Sequence, residues 1–192
     1  MNIAIIPARG GSQRIPRKNV KEFHGKPIIA YSIETAKNSG LFSRIIVSTD
    51  SEEIADVAIK YGAEIHQRSE EMARDEVGTQ EVIKSILEDL KINNGYTCCI
   101  YPTAPLMTEY YLGLGLAPLV EETIFDYTFS VGINPLSDAG QFYWGEAESF
   151  LNERPLFSFN TAMIPISDNR VCDINTAEDW ERAEKMYSEL NG

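Results

Sequence analysis

Short apolar runs alternate with amphipathic stretches along the first two thirds of the chain, and this alternation constrains the fold most. Ile3–Pro7, Arg44–Thr49 (RIIVST), Glu64–His66, Tyr96–Tyr101 (YTCCIY) and Asp126–Val131 (DYTFSV) have the length and composition of strands. Between them apolar residues recur at helical spacing. Pro27 suits the first turn of a helix running through about Asn38, which Gly40 closes. Ile54, Val57, Ala58 and Tyr61 share one face up to Gly62, and Val82, Ile83, Ile86, Leu87 and Leu90 form a stripe within Thr79–Lys91. Residues 109–121 also read as helix, although Gly113, Gly115 and Pro118 interrupt them. The pattern predicts an α/β fold with a mostly parallel sheet and helices on both faces, with ligands at the carboxyl ends of the strands. The loops after Ile6, Thr49 and Tyr101 are where a site is expected. The last third is less regular: Gln141–Trp144 and Ala162–Ile166 read as strands, a short helix lies near Glu146–Leu151, and a closing helix begins at Thr176 with Asp179 in capping-box position.

The first of those loops stands out by charge. The chain has 29 acidic and 17 basic residues among 192, a net charge of −12. Yet from Ile3 to Asn19 (IAIIPARGGSQRIPRKN) there is no acid, and Arg9, Arg14, Arg17 and Lys18 crowd around Gly10 and Gly11. The overall acidity argues against a nucleic-acid partner, which needs a broad cationic face. A local basic cluster reads instead as a site for a small anion, with glycine amides to cradle phosphate oxygens and cations to neutralise them. A surface loop of solvated charges is the competing reading. The spacing is neither a Walker A loop nor a dinucleotide fingerprint. Cys98, Cys99 and Cys172 show no metal or disulfide spacing and read as buried thiols in a reducing cytoplasm. No stretch approaches the length of a membrane span.

P-A-R-G-G-S-x-R-I-P-x-K-N, followed by Gly25-Lys26-Pro27-Ile28, strongly resembles the signature of the sugar-acid cytidylyltransferases, the CMP-sialate synthetase family and its relatives. Further runs fit in order: Ser48-Thr49-Asp50, RSEEMARD (Arg68–Asp75), YPTAPLM (Tyr101–Met107) and CDINTAEDW (Cys172–Trp180). DAGQFYWG (Asp138–Gly145) and Tyr101 resemble the pseudaminic acid branch; a sialate enzyme would more often show glutamine at the latter position. The resemblance covers nearly the whole chain. It implies a Rossmann-like domain of the nucleotide-diphospho-sugar transferase type. The implied reaction is attack by the anomeric hydroxyl of a nine-carbon (nonulosonic) acid on the α-phosphorus of CTP, giving a CMP-sugar and pyrophosphate.

The resemblance also implies residue roles. Arg9 would meet the triphosphate beside the attacked phosphorus, with Ala8, Gly10, Gly11 and Ser12 around the phosphate oxygens. Lys18 would contact the β/γ end, or else is a solvated lysine. Asn19 corresponds to an asparagine near the nucleotide. Arg68 and Thr79 match positions near cytosine and ribose; alternatively Arg68 is a surface ion-pair residue and Thr79 a helix cap. Tyr101 would face the substrates or simply pack. Gln141 and Tyr143 are the sugar-side residues, with a core role for Tyr143 as the alternative. Asp173 would hold Mg²⁺, or merely cap the last turn. Asn175 stands where the family has a second aspartate, which keeps an oxygen ligand but removes a charge.

A homodimer is implied too. The family usually carries a few dozen more residues, including a dimerisation segment, where Pro135 and Leu136 are adjacent here. The whole of 1–192 then reads as a single nucleotidyltransferase domain with that segment missing. Other readings are a CMP-sialate or legionaminate synthetase, an enzyme for the eight-carbon acid of lipopolysaccharide, and a CTP-binding module without catalysis.

Overall fold

The structure is a computed structural model that describes residues 1–122 and 124–192. Its strands are β1 (Asn2–Pro7), β2 (Glu22–Phe23), β3 (Lys26–Pro27), β4 (Arg44–Thr49), β5 (Glu64–Gln67), β6 (Tyr96–Ile100), β7 (Tyr127–Ile133), β8 (Leu136–Glu146) and β9 (Thr161–Pro165). The helices are α1 (Ile28–Asn38), α2 (Glu52–Tyr61), α3 (Thr79–Asp89), α4 (Glu109–Glu121), α5 (Ala147–Leu151) and α6 (Ala177–Asn191). Seven strands form one sheet in the order β5-β4-β1-β6-β8-β7-β9, and β2 and β3 form a separate small hairpin. All pairs in the large sheet are parallel except those of β8, which runs antiparallel to both neighbours.

Period-two alternation splits the core between the two faces of the sheet. Ala4 and Ile6 of β1 join Val47, Cys98, Ile100, Phe142 and Trp144 beneath α1, α2 and α4. Ile3 and Ile5 point the other way, toward Val82, Ile83 and Ile86 of α3 and Phe150 of α5, with Cys99, Phe129 and Tyr143. A third cluster packs α6 under the first loop: Trp180 and Ala183 meet Ile15, Phe23, Ile28 and Ile174. Each fully buried aliphatic side chain contributes about 1.5–3 kcal/mol. All three cysteines are buried free thiols, and burial raises the Cys99 thiol to about 12.

The first loop differs from the sequence reading, and the helix read over 109–121 is present as α4. The long first loop, read as irregular through Lys26, contains a 3-10 turn at Lys18–Val20 and the β2–β3 hairpin, elements too short to show a period. Helix α4 is continuous despite its glycines and Pro118. Gly115 is required by packing there: a Cβ would come within 2.6 Å of the Phe142 ring and 2.7 Å of the Trp144 ring. At Pro135–Leu136 the chain closes as a hairpin, with Ile133 opposite Leu136 across the Asn134–Pro135 turn. That two-residue connection makes β8 antiparallel.

Beyond β1 the chain runs to β4 and β5 on one side and then crosses to β6 on the other, so a topological switch point lies between β1 and β6.

Candidate active site

The loop leaving β1 is held down by its neighbours. Ala8 is fully buried, and its N–H donates to Ser48 O at 2.9 Å. Gly10 lies so close to the start of α2 that a Cβ would meet Ser51 Cβ at 3.0 Å. Its N–H, read from sequence as a phosphate donor, donates to Asp50 Oδ1 at 2.7 Å. Gly11 has open space around it, and the Ser12 N–H turns back to Gly10 O at 2.9 Å. Lys18 is no freely solvated lysine: its Nζ donates to Ile174 O at 2.7 Å, which ties the loop to the D-x-N stretch near the other end of the chain. Burial lowers its pKa most, helped by Arg14 and Arg9 and opposed by Asp173. The Asn19 amide donates to Arg9 O at 2.9 Å, while its buried Oδ1 has no partner among the described residues.

Arg9, Ser12, Lys18 and Asn19 line a cleft of about 450 Å³ at the carboxyl end of β1, shared with Arg68, Thr79, Tyr101 and Asn175. Arg9, Arg14, Lys18, Arg68 and Arg74 line it, against one carboxylate, Asp75. In a chain of net charge −12 that is a concentrated positive field, suited to a multivalent anion. Asp75 forms an ion pair with Arg9 and accepts from Gln13 Nε2 at 3.2 Å.

Arg68 is 6% exposed, which excludes the surface ion-pair reading. Its Nη2 donates to Ser48 O at 3.0 Å and its Nε to Ser48 Oγ at 3.3 Å. Ser48 Oγ also meets His66 Nδ1 at 3.0 Å, and His66 Nε2 meets Asp89 Oδ2 at 3.1 Å. The serine is fully buried, so this Ser–His–Asp line offers no nucleophile and acts as a brace for Arg68. Burial lowers the Arg68 pKa, but a guanidinium remains charged at neutral pH.

Thr79 is the first residue of α3 and does not cap it, since Gly78 occupies that position. Its hydroxyl lies 3.1 Å from Tyr101 OH. Tyr101 sits just after β6, where its N–H donates to Gln141 O at 2.9 Å and its C=O accepts from Ser32 Oγ at 2.7 Å. Burial raises its phenol to about 12, so the hydroxyl stays protonated at neutral pH.

Neither sugar-side residue lines the cleft. Gln141 is 3% exposed and donates to Arg170 O at 2.6 Å. Tyr143 stands behind Tyr101, edge to face at 5.8 Å between ring centroids, and its hydroxyl donates to Asp138. Asp173 is exposed beside Asn175, whose Nδ2 donates to Asp173 Oδ2 at 2.5 Å and whose Oδ1 accepts from Arg14 at 3.0 Å. The cap of α6 belongs to Thr176 and Asp179, not to Asp173. Sequence reasoning missed Gln13, Ser48, His66, Asp75 and Asp138. Ser48, Asp75 and Asp138 lie within the motifs given above, whereas the Ser48–His66 contact left no signal.

The family described as Cytidylyltransferase matches residues 3–124. The pseudaminic acid cytidylyltransferase of Campylobacter jejuni serotype O:23/36 (strain 81-176) is 36% identical over 222 positions, covering 97% of this chain and 96% of that one. The CMP-N,N'-diacetyllegionaminic acid synthase of Legionella pneumophila (strain Philadelphia 1) is 47% identical over 228 positions, covering 98% and 97%. Among solved structures, a CMP:2-keto-3-deoxy-manno-octonic acid synthetase complexed with CTP superposes with TM-score 0.80 at 12% identity, covering 98% of this chain and 99% of that one. A Mycobacterium tuberculosis H37Rv protein in complex with manganese gives TM-score 0.68 at 9% identity, covering 96% and 98%. With a basic cleft at the switch point of its sheet, the family's match over residues 3–124 and full-length relatives above 30% identity, this chain belongs to the cytidylyltransferase family.

Proposed function

We propose that this chain transfers CMP from CTP to the anomeric hydroxyl of a nonulosonic acid, with pseudaminic acid the favoured substrate, and releases pyrophosphate. The observation that carries the reading is the cation-rich cleft at the end of β1 in a chain whose relatives are named for this chemistry. The hydroxyl oxygen bonds to the α-phosphorus and loses its proton to solvent as the bond to the bridging α–β oxygen breaks, and pyrophosphate takes that electron pair. The protein's part is positioning and neutralising charge on the departing group. Arg9 and Lys18 act on the triphosphate, and Ser12 with the Gly10–Gly11 backbone borders it. Asn19 offers an unpaired acceptor, Arg68 and Thr79 border the base and ribose, and Tyr101 divides nucleotide from sugar.

Asp173 and Asn175 are the residues that would hold Mg²⁺. Their exposed carboxylate and neighbouring amide suit a hard cation that takes few protein ligands and fills its shell with phosphate oxygens and water. When bound, the metal neutralises triphosphate charge. Among the described residues no group of three or more His, Cys, Asp or Glu side chains converges, which favours such a shared site over an all-protein cage.

The preference for pseudaminic acid rests on DAGQFYWG and on Tyr101 backed by Tyr143. The 47% identity to the Legionella enzyme favours legionaminic acid as a second reading. The homodimer belongs with the segment missing between Pro135 and Leu136: both alignments run longer than the 192 residues here. A CTP-using enzyme with three free thiols fits the cytoplasm. Among the described residues no helix is long and apolar enough to cross a membrane.

Pyrophosphate release with CTP, Mg²⁺ and pseudaminic, legionaminic or N-acetylneuraminic acid tests the proposal. Fastest release with pseudaminic acid is expected. CTP binding by calorimetry without release from any of the three would instead identify a non-catalytic binding module.

A further inference from the structure

Asp138 stands outside the basic cleft, yet both of its carboxylate oxygens hold groups that pack against Asp173 and Tyr101. Oδ1 accepts the Gly140 N–H at 2.8 Å, and Oδ2 accepts the Tyr143 hydroxyl. The two bonds lead in different directions. Gly140 has φ +63°, and a Cβ there would lie 3.1 Å from Asp173 Cγ and 3.2 Å from its Oδ1. Its bare backbone is thus the surface against which Asp173 rests. Tyr143 is 5% exposed and packs between Phe129, stacked at 6.0 Å, and Tyr101, edge to face at 5.8 Å. Tyr101 in turn reaches Thr79 on the cleft wall at 3.1 Å. Asp138 is exposed and, among the described residues, forms no ion pair; its carboxylate is engaged by these two hydrogen bonds.

We infer that Asp138 is a positioning residue for the sugar-acid half of the reaction, fixing the Tyr143–Tyr101 pair on one side and the Gly140–Asp173 contact on the other. The inference rests on the cytidylyltransferase reading above. A buried phenol deprived of its acceptor seeks another. The neighbouring hydroxyl available to Tyr143 is that of Tyr101, and bonding to it turns Tyr101 away from Thr79. The freed Gly140 turn loosens the support of Asp173 at the same time. The sugar acid, which must enter between these two sides, is the substrate that registers the change, while the triphosphate cations stay in place.

The experiment is a double-mutant cycle of Asp138→Ala and Tyr143→Phe, with Asp138→Asn as the conservative variant. It measures KM for the sugar acid, Kd for CTP and the melting temperature. Asp138→Ala and Tyr143→Phe are each expected to raise the sugar-acid KM about tenfold, the loss of one buried hydrogen bond. The double variant should be no worse than the poorer single one. Asp138→Asn keeps an acceptor oxygen and should recover part of the loss, and CTP Kd measured without Mg²⁺, where Asp173 has no metal to hold, should stay within about twofold throughout. Additive losses, an unchanged KM, or CTP Kd rising in step with KM would overturn the inference. If the wild-type chain turns over no sugar acid, the proposed function falls and takes this inference with it. A normal wild type beside an equally normal Asp138→Ala overturns the inference alone.

Discussion

Arg9 carries an ion pair to Asp75 and a 3.5 Å hydrogen bond to Ala73 O, both from the acidic turn that follows Arg68. A triphosphate reaching that guanidinium must displace a carboxylate. Asp75→Asn removes the competitor and should tighten CTP binding severalfold by calorimetry, whereas weaker binding would show that Asp75 supports the nucleotide. Arg9→Ala should cost about a hundredfold or more in pyrophosphate release with an unchanged far-UV spectrum, the scale of losing one charged donor to a transition state. Lys18 gives a pH dependence. Its pKa is held below 10.5 by burial, so its cation is lost on the alkaline side earlier than that of a solvent lysine. CTP, an anion, favours the protonated form; affinity should therefore fall as pH rises through that lowered value, and Lys18→Met should abolish the fall. Three of the cleft's cations, Arg9, Arg14 and Lys18, were legible because they cluster within one acid-free run of sequence. Asp75 on Arg9, and His66 behind Ser48, join segments far apart in the chain, and no local pattern encodes such a meeting.

At the level of elements, the sequence announced the parallel units because β1, β4 and β6 are apolar, bury both faces and are each followed by a helical segment. Strand β8 was only half visible: Gln141–Trp144 is aromatic-rich and buried, but Leu136–Asp138 is exposed and Gly140 has a left-handed backbone. Pairing with β7 and the short turn before it extend the strand there, a tertiary effect that overrides local propensity. Gly140 carries the consequence. In Gly140→Ala the left-handed backbone costs about 1–2 kcal/mol, and the added methyl presses on Asp173. The melting temperature should drop by several degrees. Turnover at a temperature where the variant remains folded should drop further, because the displaced group is the proposed metal ligand. A variant that loses stability without losing activity would show that Asp173 tolerates the shift and is not held in place for metal.

At the level of the whole molecule, the hairpin tip between β7 and β8 is where the proposed missing segment would stand, and the sheet explains how it can be absent. Strands β7 and β8 are neighbours, so two residues suffice to join them, and a longer excursion could leave and return there without altering a ladder. Exposed apolar side chains flank the tip, Ile133 at 52% and Leu136 at 67%. The tip is also braced from outside: Asp168 accepts from the Ile133 and Asn134 N–H groups and from Asn134 Nδ2. A dimer built through such a segment would not form without it, and the basic cleft lies at the ends of β1, β5 and β6, away from the hairpin tip. The 192-residue chain should therefore run as a monomer of 21.5 kDa in light scattering and still bind CTP. Grafting the Campylobacter relative's corresponding stretch between Pro135 and Leu136 should double the particle mass and leave CTP affinity within about twofold. A 192-residue chain that is already dimeric would place the contact elsewhere, and the exposed apolar residues around Phe157, Phe159 and Met163 at the β9 edge would then be the surface to mutate.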